Sequence, residues 1–315
     1  MFEACGHTMW PGRLSMPAGV SAAIAGRRMI VRLLVTLVLL AAASPAWAAD
    51  LVVATWNLEW LTTRPDGDPG LPPDAHPKRP EDIATLAGYA ARLNADLVAI
   101  QEVDGREVAA RIFPPDRYSI HMTHDHVTQR VGLVVRQGIQ YDINPDVPLV
   151  EGATEGSGTL RSGADITLRL PGEPLRVLAV HLKAGCDRDR LTHSRRPACA
   201  VLHAQLPLLQ RWIAARRQEG AAFLVLGDFN RWMDGNDEVI AALRQAAPLA
   251  RATEGHASPC WGGEHFIDHI LAGGPAADWM QPATLTVQVF RETRDEWKER
   301  LSDHCAVTVR FHPPG

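Results

Sequence analysis

Short apolar runs alternate with amphipathic stretches along most of this chain. Residues 51–56 (LVVATW), 96–100 (DLVAI), 131–135 (VGLVV), 223–226 (FLVL), 265–271 (HFIDHIL) and 306–309 (AVTV) have the length and composition of buried strands. Residues 166–170 and 176–180 read as two more, joined by the turn Pro171-Gly172-Glu173-Pro174. Between them lie helical patterns. Glu81 and Asp82 open one that runs through Ile83, Leu86, Ala90 and Leu93. Over residues 200–217, Leu202, Leu206, Leu209 and Ile213 mark a buried face that stops at Gly220, and Pro207 predicts a kink or a later helix start. Residues 62–80 are rich in Pro and Gly, lack periodicity and read as a surface loop. Alternating strands and helices, with no repeat and no low-complexity tract, predict one α/β domain.

The first 48 residues follow a different pattern. Arg27, Arg28 and Arg32 precede the apolar run at residues 33–43, and Ala46-Trp47-Ala48 supplies small residues for cleavage. A basic, then apolar, then small-residue order is that of a secretory signal peptide, and the run is shorter than the ~20 residues of a spanning helix. Cleavage is expected after Ala48, an uncleaved anchor being the alternative. Met29 would make a more ordinary start than Met1, and Arg27-Arg28 hints at twin-arginine export in a poor context. The expected organisation is a leader over 1–48 and a single domain over 49–315, secreted or periplasmic.

Composition changes the picture in two ways. The leader carries four of the 32 Lys and Arg and one of the 36 acids, so its removal leaves 267 residues and moves the formal charge from −4 to −7. A chain this acidic does not hold nucleic acid through its overall field, although local basic groups and bound cations still could. Cys5 leaves with the leader, and Cys186, Cys199, Cys260 and Cys305 remain. An even number in an oxidising compartment suggests disulfides. A Cys186–Cys199 bridge would staple a polar, Arg-rich loop; Cys260 and Cys305 could pair, or Cys305 could be an inert core thiol. The absence of Cys-x-x-Cys spacing argues against zinc at the cysteines.

The candidate chemistry sits where the apolar runs end. Asn57, Glu102, His181, Asp228 with Asn230, Asp268, and Asp303 with His304 each close or flank a predicted strand. A lone strand-end Asn or Asp usually caps a turn. A whole series of them on a rigid α/β base is what metal-assisted attack of water on a phosphate ester needs: carboxylates for a hard cation, an amide to orient phosphate or water, an imidazole for charge. His121, His124 and His126 form a separate cluster in a polar stretch; metal binding is the alternative reading, but no supporting ligand pattern accompanies them, and solvated loop histidines are the more ordinary one. Of the nine Trp, Trp56 and Trp212 fall in core patterns, whereas Trp60, Trp232, Trp261 and Trp297 lie beside the motifs or in loops.

The blocks Thr55-Trp56-Asn57-Leu58, Ile100-Gln101-Glu102-Val103, Val180-His181-Leu182-Lys183, Leu226-Gly227-Asp228-Phe229-Asn230, Ile267-Asp268-His269-Ile270 and Ser302-Asp303-His304 resemble, in order, those of the endonuclease/exonuclease/phosphatase family, of which deoxyribonuclease I is the best known. The resemblance spans residues 51–311. It implies a four-layer α/β sandwich, two facing and mostly antiparallel sheets flanked by helices, with the site in a cleft at one end of the sheets. It further implies Mg²⁺, with Mn²⁺ as the alternative, held by Glu102 with Asn57 and Asp303. Asp228 and Asn230 would position water and a phosphate oxygen, and Asp268 would orient His304, which acts as general base or charge donor. His181 would protonate the leaving oxygen or bind phosphate, and Arg130 and Lys183 would contact phosphate.

The function expected on these grounds is a monomeric, exported, metal-dependent phosphodiesterase, an extracellular endonuclease acting on DNA more than RNA, with no stable membrane insertion after processing. A sphingomyelinase-like phospholipase C or an inositol or sugar phosphatase would keep the chemistry and change the substrate. A catalytically dead binding module would have lost part of the constellation, and none is lost here. Substrate choice should reside in the loops at 62–80, 185–200, 232–236 and 291–299.

Overall fold

The computed structural model describes residues 50–73, 75–150, 161–263 and 265–315. The leader expected over 1–48 lies outside the described residues.

Two six-stranded sheets carry the domain. The first has the spatial order β11 (Met280–Gln288), β12 (Ala306–Phe311), β1 (Leu51–Leu61), β2 (Leu97–Val103), β4 (Arg130–Arg136), β3 (Tyr118–Met122). The second runs β5 (Tyr141–Ile143), β6 (Ala164–Leu168), β7 (Leu175–His181), β8 (Ala222–Asp228), β10 (Asp268–Gly273), β9 (Leu249–Arg251). All pairings are antiparallel except β1 with β2 and β7 with β8.

Each parallel pair needs a crossover, and a helix supplies it: α1 (Pro80–Leu93) between β1 and β2, and α3 (Pro197–Glu219) between β7 and β8. Proline opens both helices, where its missing N–H leaves no intrahelical bond unmade. α3 begins ahead of Pro207 and runs through it to the left-handed cap at Gly220, so no later start occurs. Among the described residues there are four shorter α-helices as well: α2 (Arg106–Ile112), α4 (Glu238–Ala246), α5 (Ala276–Trp279) and α6 (Glu296–Arg300).

The strands read as unbroken apolar runs because both faces of each sheet are covered. Val53, Ala99 and Leu133 of the first sheet meet Ile166, Val177 and Leu224 of the second in the central core. The alternate residues point outward: Ala54, Val98 and Val134 pack with Ile83, Leu86 and Ile112 of α1 and α2. Leu178, Val180 and Val225 pack with Leu202, Leu209 and Leu243 of α3 and α4. The result is the expected sandwich: helices, sheet, sheet, helices.

The four described cysteines form two bridges, Cys186–Cys199 and Cys260–Cys305. The second closes the longer loop, 45 residues in sequence separation, and joins the segment before β10 to the start of β12. Removing it with paired serines is expected to cost about 2–4 kcal/mol, and removing the 13-residue bridge less, because loop-closure entropy grows with loop length. Urea unfolding of the two double variants beside the parent checks the ranking.

One core histidine makes stability depend on pH. His269 is fully buried. Its Nε2 lies 2.9 Å from the Arg231 carbonyl, which can only accept, so Nε2 carries the proton and Nδ1 accepts from the Thr253 hydroxyl at 2.7 Å. Burial pushes its pKa from 6.5 down to about 3. The unfolded chain therefore binds a proton that the folded chain refuses, and stability is lost as pH falls from 6.5 towards 3. The slope from this group alone reaches about 1.4 kcal/mol per pH unit. His269→Gln is expected to flatten the acid side of a stability–pH profile by up to that slope, as read from denaturant melts.

Candidate active site

Parallel pairing sets two strand ends side by side twice. At one, Asn57 of β1 pairs with Gln101 of β2, next to Glu102; at the other, His181 of β7 pairs with Asp228 of β8. Asp268, at the start of β10, pairs antiparallel with Asp228. The turn before β12 brings His304 to the same place. Its entry is fixed by Ser302, whose hydroxyl donates to the Asn57 carbonyl at 2.7 Å and accepts the His304 N–H at 3.0 Å.

The backbone is strained where it delivers these groups. Glu59, Trp60, Glu102 and Asn230 all have positive φ, between 38° and 60°. The register shifts between Asn57 and Leu61 on β1 and between Ile100 and Val103 on β2 mark the irregularity that turns Glu102 inward. Left-handed non-glycine residues persist where surrounding contacts over-determine them, and such positions gather at functional sites.

Hydrogen bonds link the side chains into one network. The Asn57 amide donates to Glu102 Oε1 at 3.2 Å and to Asp228 Oδ2 at 3.0 Å. Glu102 Oε2 accepts from the Gln129 amide at 2.8 Å and from the Trp60 N–H at 3.3 Å. Asp228 accepts the Asn230 N–H on Oδ1 at 2.7 Å and the Asn230 amide on Oδ2 at 3.0 Å. His181 Nε2 sits 3.5 Å from Asp228 Oδ2 and 3.6 Å from Glu102 Oε1. His304 bonds Asp268 through Nδ1 at 2.7 Å and directs Nε2 towards Asp228 Oδ2 at 3.8 Å.

Crowded acids and burial set the electrostatics. Burial pushes the Asp228 carboxyl up to about 7; the neighbouring Asp268 adds to this, while His304 and the bonds from Asn230 and Asn57 oppose it. Burial also works against charge on His304, but the carboxylates of Asp268 and Asp228 override it and hold the imidazolium well above its ordinary range. His181 has no carboxylate bonded to it and is fully enclosed, so burial, with Arg161 and His304 nearby, drives it well below its ordinary value. Glu59, beside Asp303, is raised to about 7 by burial against the pull of Lys78.

Seven of the residues picked out in the sequence thus meet directly: Asn57, Glu102, His181, Asp228, Asn230, Asp268 and His304. Asp303 lies on the rim, its side chain 54% exposed and its Oδ1 3.6 Å from His304 Nε2. Arg130 is not joined to this network: it donates to the Asp104 carbonyl and lines an adjacent cleft. Lys183 lies beyond the end of β7, where its N–H donates to Gln205, and its ammonium bears on His181 only through space. Three residues missed in the sequence belong here: Glu59, which accepts the Asp303 N–H, Gln129 and Arg161. Gln129 fixes Glu102, and Arg161, bonded to Gln129, places its charge against Glu102 and Asp228. Arg161 follows no apolar run, so no strand-end signal marks it.

The donor set suits a hard divalent cation. Glu59, Glu102, Asp228, Asp268 and Asp303 converge on one region, where burial raises the carboxyls of Glu59 and Asp228 and the neighbouring acids add to the effect. One Asp268 oxygen is buried without a hydrogen-bond partner. Asp228, Asp268 and His304 are close enough to share an ion, yet the Asp268–His304 hydrogen bond already accounts for that trio. Glu102 and Asp303 offer carboxylate oxygens free of an imidazole bond. Asn57 turns its amide nitrogen to the carboxylates and its oxygen to the Glu59 N–H at 2.9 Å, and so braces Glu102 in this arrangement.

Clefts open on both sides. One, about 610 Å³, is lined by Trp60, Arg64, Arg130 and Arg161; the other, about 290 Å³, by Trp261, Phe266, Lys298 and His304.

No match to this chain is found among curated protein sequences. Solved structures share its fold at low identity. Truncated TDP2 of Caenorhabditis elegans superposes with TM-score 0.54 at 15% identity, over 84% of this chain and 98% of that one. The human Nocturnin catalytic domain with bound sulfate gives 0.53 at 17%, over 83% and 94%. D. rerio TDP2 complexed with single-strand DNA product gives 0.54 at 15%, over 84% and 100%. Residues 54–304 match the sequence model of the Endonuclease/Exonuclease/phosphatase family. That span takes in the first and last residues of the network, Asn57 and His304, and with them every strand end described above: this chain belongs to the endonuclease/exonuclease/phosphatase family.

Proposed function

We propose that this protein is an exported, divalent-cation-dependent phosphodiesterase that cleaves DNA. The observation that carries the chemistry is the charged His304, bonded to Asp268 and facing Asp228 at the floor of a carboxylate-rich cleft.

Glu102 and Asp303, with Asn57, would hold Mg²⁺ or Mn²⁺; the cation supplies a Lewis acid for a phosphate oxygen and for the leaving oxygen. Asp228, with a pKa of about 7, is the base: its carboxylate takes a proton from water as the water oxygen bonds to phosphorus and the P–O bond to the leaving group breaks. Asn230 holds Asp228 in line through two hydrogen bonds. His304 is charged before the reaction begins, so it stabilises the extra negative charge on the phosphoryl oxygens. Of the two roles the sequence left open for it, this is the one the electrostatics favour. His181, held neutral by burial, would donate a hydrogen bond to the phosphate.

An extended polyanion suits the clefts on either side, the first of them lined by three arginines and a tryptophan. The complex of D. rerio TDP2 with single-strand DNA supports this substrate class. A lipid substrate would call for an exposed apolar hairpin; among the described residues, the large hydrophobics most open to solvent are Ile143, in β5, and Val289, just after β11. Two disulfides and the signal-like leader support export. Among the described residues no helix is long and apolar enough to cross a membrane. A monomer would carry the whole site, since every group in it comes from one chain.

The test is nicking of supercoiled plasmid with Mg²⁺ and with EDTA, beside RNA, sphingomyelin vesicles and a phosphomonoester panel. EDTA-sensitive nicking is expected. Turnover of lipid or monoester with plasmid untouched would overturn the substrate and keep the mechanism.

A further inference from the structure

Of the three histidines ahead of β4, His124 and His126 are exposed loop residues as the sequence suggests, but His121 is not. His121 lies in β3 and is only 6% exposed. Its Nε2 is buried with no hydrogen-bond partner. It faces Asp146 Oδ1, also buried and unpartnered, across 3.8 Å. That gap is too long for a hydrogen bond. A third buried and unpartnered atom, the Thr123 hydroxyl oxygen, belongs to the residue two along from His121. Thr123 continues the β3–β4 ladder through its N–H bond to the Val131 carbonyl at 2.9 Å, so it shares the His121 face.

Three unpaired polar atoms in one buried neighbourhood ask for a missing partner, because native interiors leave few such groups unsatisfied. The donor types say which. Imidazole nitrogen and carboxylate oxygen, each about 2.0–2.2 Å from a metal, span a separation close to the one seen. Hard cations such as Mg²⁺ prefer oxygen alone, whereas zinc and its neighbours accept imidazole with carboxylate. Burial keeps His121 below its ordinary pKa and so in the neutral form that a metal needs. The other Asp146 oxygen is already braced: it accepts the His124 N–H at 2.7 Å and meets His124 Nδ1 at 2.9 Å.

We propose that His121 Nε2 and Asp146 Oδ1 bind a divalent d-block cation of the zinc class, with His124 holding the carboxylate in place and water, some of it on Thr123, completing the shell. The site is distinct from the catalytic cleft in position and in donor chemistry. It would clasp β3, the edge of one sheet, to the segment after β5, the edge of the other. The stretch it anchors runs on through Asp125, which holds Ser162, to Gln129, which holds Glu102.

The test is a titration of metal-stripped protein with Co²⁺, followed by visible absorption, and with Zn²⁺, followed by calorimetry. Both are run in excess Mg²⁺ to fill the oxygen-rich cleft. One equivalent is expected in the parent and in Glu102→Gln. It should be lost in His121→Gln and in Asp146→Asn, and weakened about 10–100-fold in His124→Ala. The His124 side chain is 81% exposed, so that variant leaves the fold untouched and keeps the test open if a buried variant fails to fold. No equivalent in the parent, or one with undiminished affinity in His124→Ala and Asp146→Asn, overturns the proposal. Because the readout is binding, failure of the nuclease reading would leave this result intact.

Discussion

On the mechanism proposed above, replacing His304 by alanine is expected to lower kcat on a phosphate diester by about 10²–10⁴-fold, the range set by removing one positioned group from a hydrolytic site. Both of its nitrogens are engaged. Nδ1 is fixed by Asp268 at 2.7 Å, and Nε2 stands 3.8 Å from Asp228 Oδ2, so the imidazolium charge is pinned beside the proposed base. Its loss acts twice. The transition state loses a preorganised cation. Asp228 also loses the positive neighbour that holds its carboxyl down to about 7, and its pKa rises. A base must be ionised to work, so the acid limb of the residual kcat–pH profile moves to higher pH. Asp268→Asn should show the same shift in weaker form, since the ring remains but its charge is less supported. A pH profile of both variants, with circular dichroism as a check on folding, separates this account from one in which His304 is itself the base. In that case removing it would abolish the limb and not displace it.

The legible part of the fold was its interior. The eight strands foreseen from apolar runs are β1, β2, β4, β6, β7, β8, β10 and β12, and each has a neighbour on both sides. The four missed, β3, β5, β9 and β11, are the four sheet edges. The reason is physical. An edge strand buries less and carries more polar residues, as in MQPATLTVQ of β11, or runs to only three residues, as in β5 and β9. The missed helices span four to nine residues, too few turns for a period to show.

The site divides in the same way. Groups at the ends of interior strands announce themselves, because the apolar run fixes where the chain stops being buried. Gln129 and Arg161 reach the site from irregular backbone, and only contact in space reveals them. His121 escapes the apolar-run signal for the reason β3 does: the strand, YSIHM, is a five-residue sheet edge whose apolar residues are broken by Ser119 and His121. The Cys260–Cys305 bridge spans 45 residues, and sequence order carries no information on such a pairing.

Gly227→Ala is expected to cost on the order of 5 kcal/mol, as much as the whole stability of a marginal domain. Gly227 is the β8 partner of Val180 on β7, in the parallel pair that ends at His181 and Asp228. An added Cβ would stand 2.0 Å from the Val180 carbonyl oxygen and 2.9 Å from its carbon. Those atoms are backbone at the centre of a sheet and cannot turn aside as a side-chain tip would. The residue also has φ near +148°, which an L side chain rarely adopts. The two costs can be told apart with Gly220→Ala. Gly220 caps α3 at φ +67° with nothing within 4 Å of its Cβ position, so it pays the conformational term alone, about 1 kcal/mol. Urea unfolding of both variants is the measurement. Equal losses would mean that the close approach of β7 and β8 is unimportant. A much larger loss at Gly227 would mean that the sheet cannot widen there. Any variant that does fold must then have moved Val180 away from Gly227. That shift passes directly into the next pair, His181 and Asp228, whose side chains stand 3.5 Å apart. Catalytic groups tolerate displacements of only about 0.5 Å, so a folded Gly227→Ala protein should be inactive without losing a single catalytic side chain.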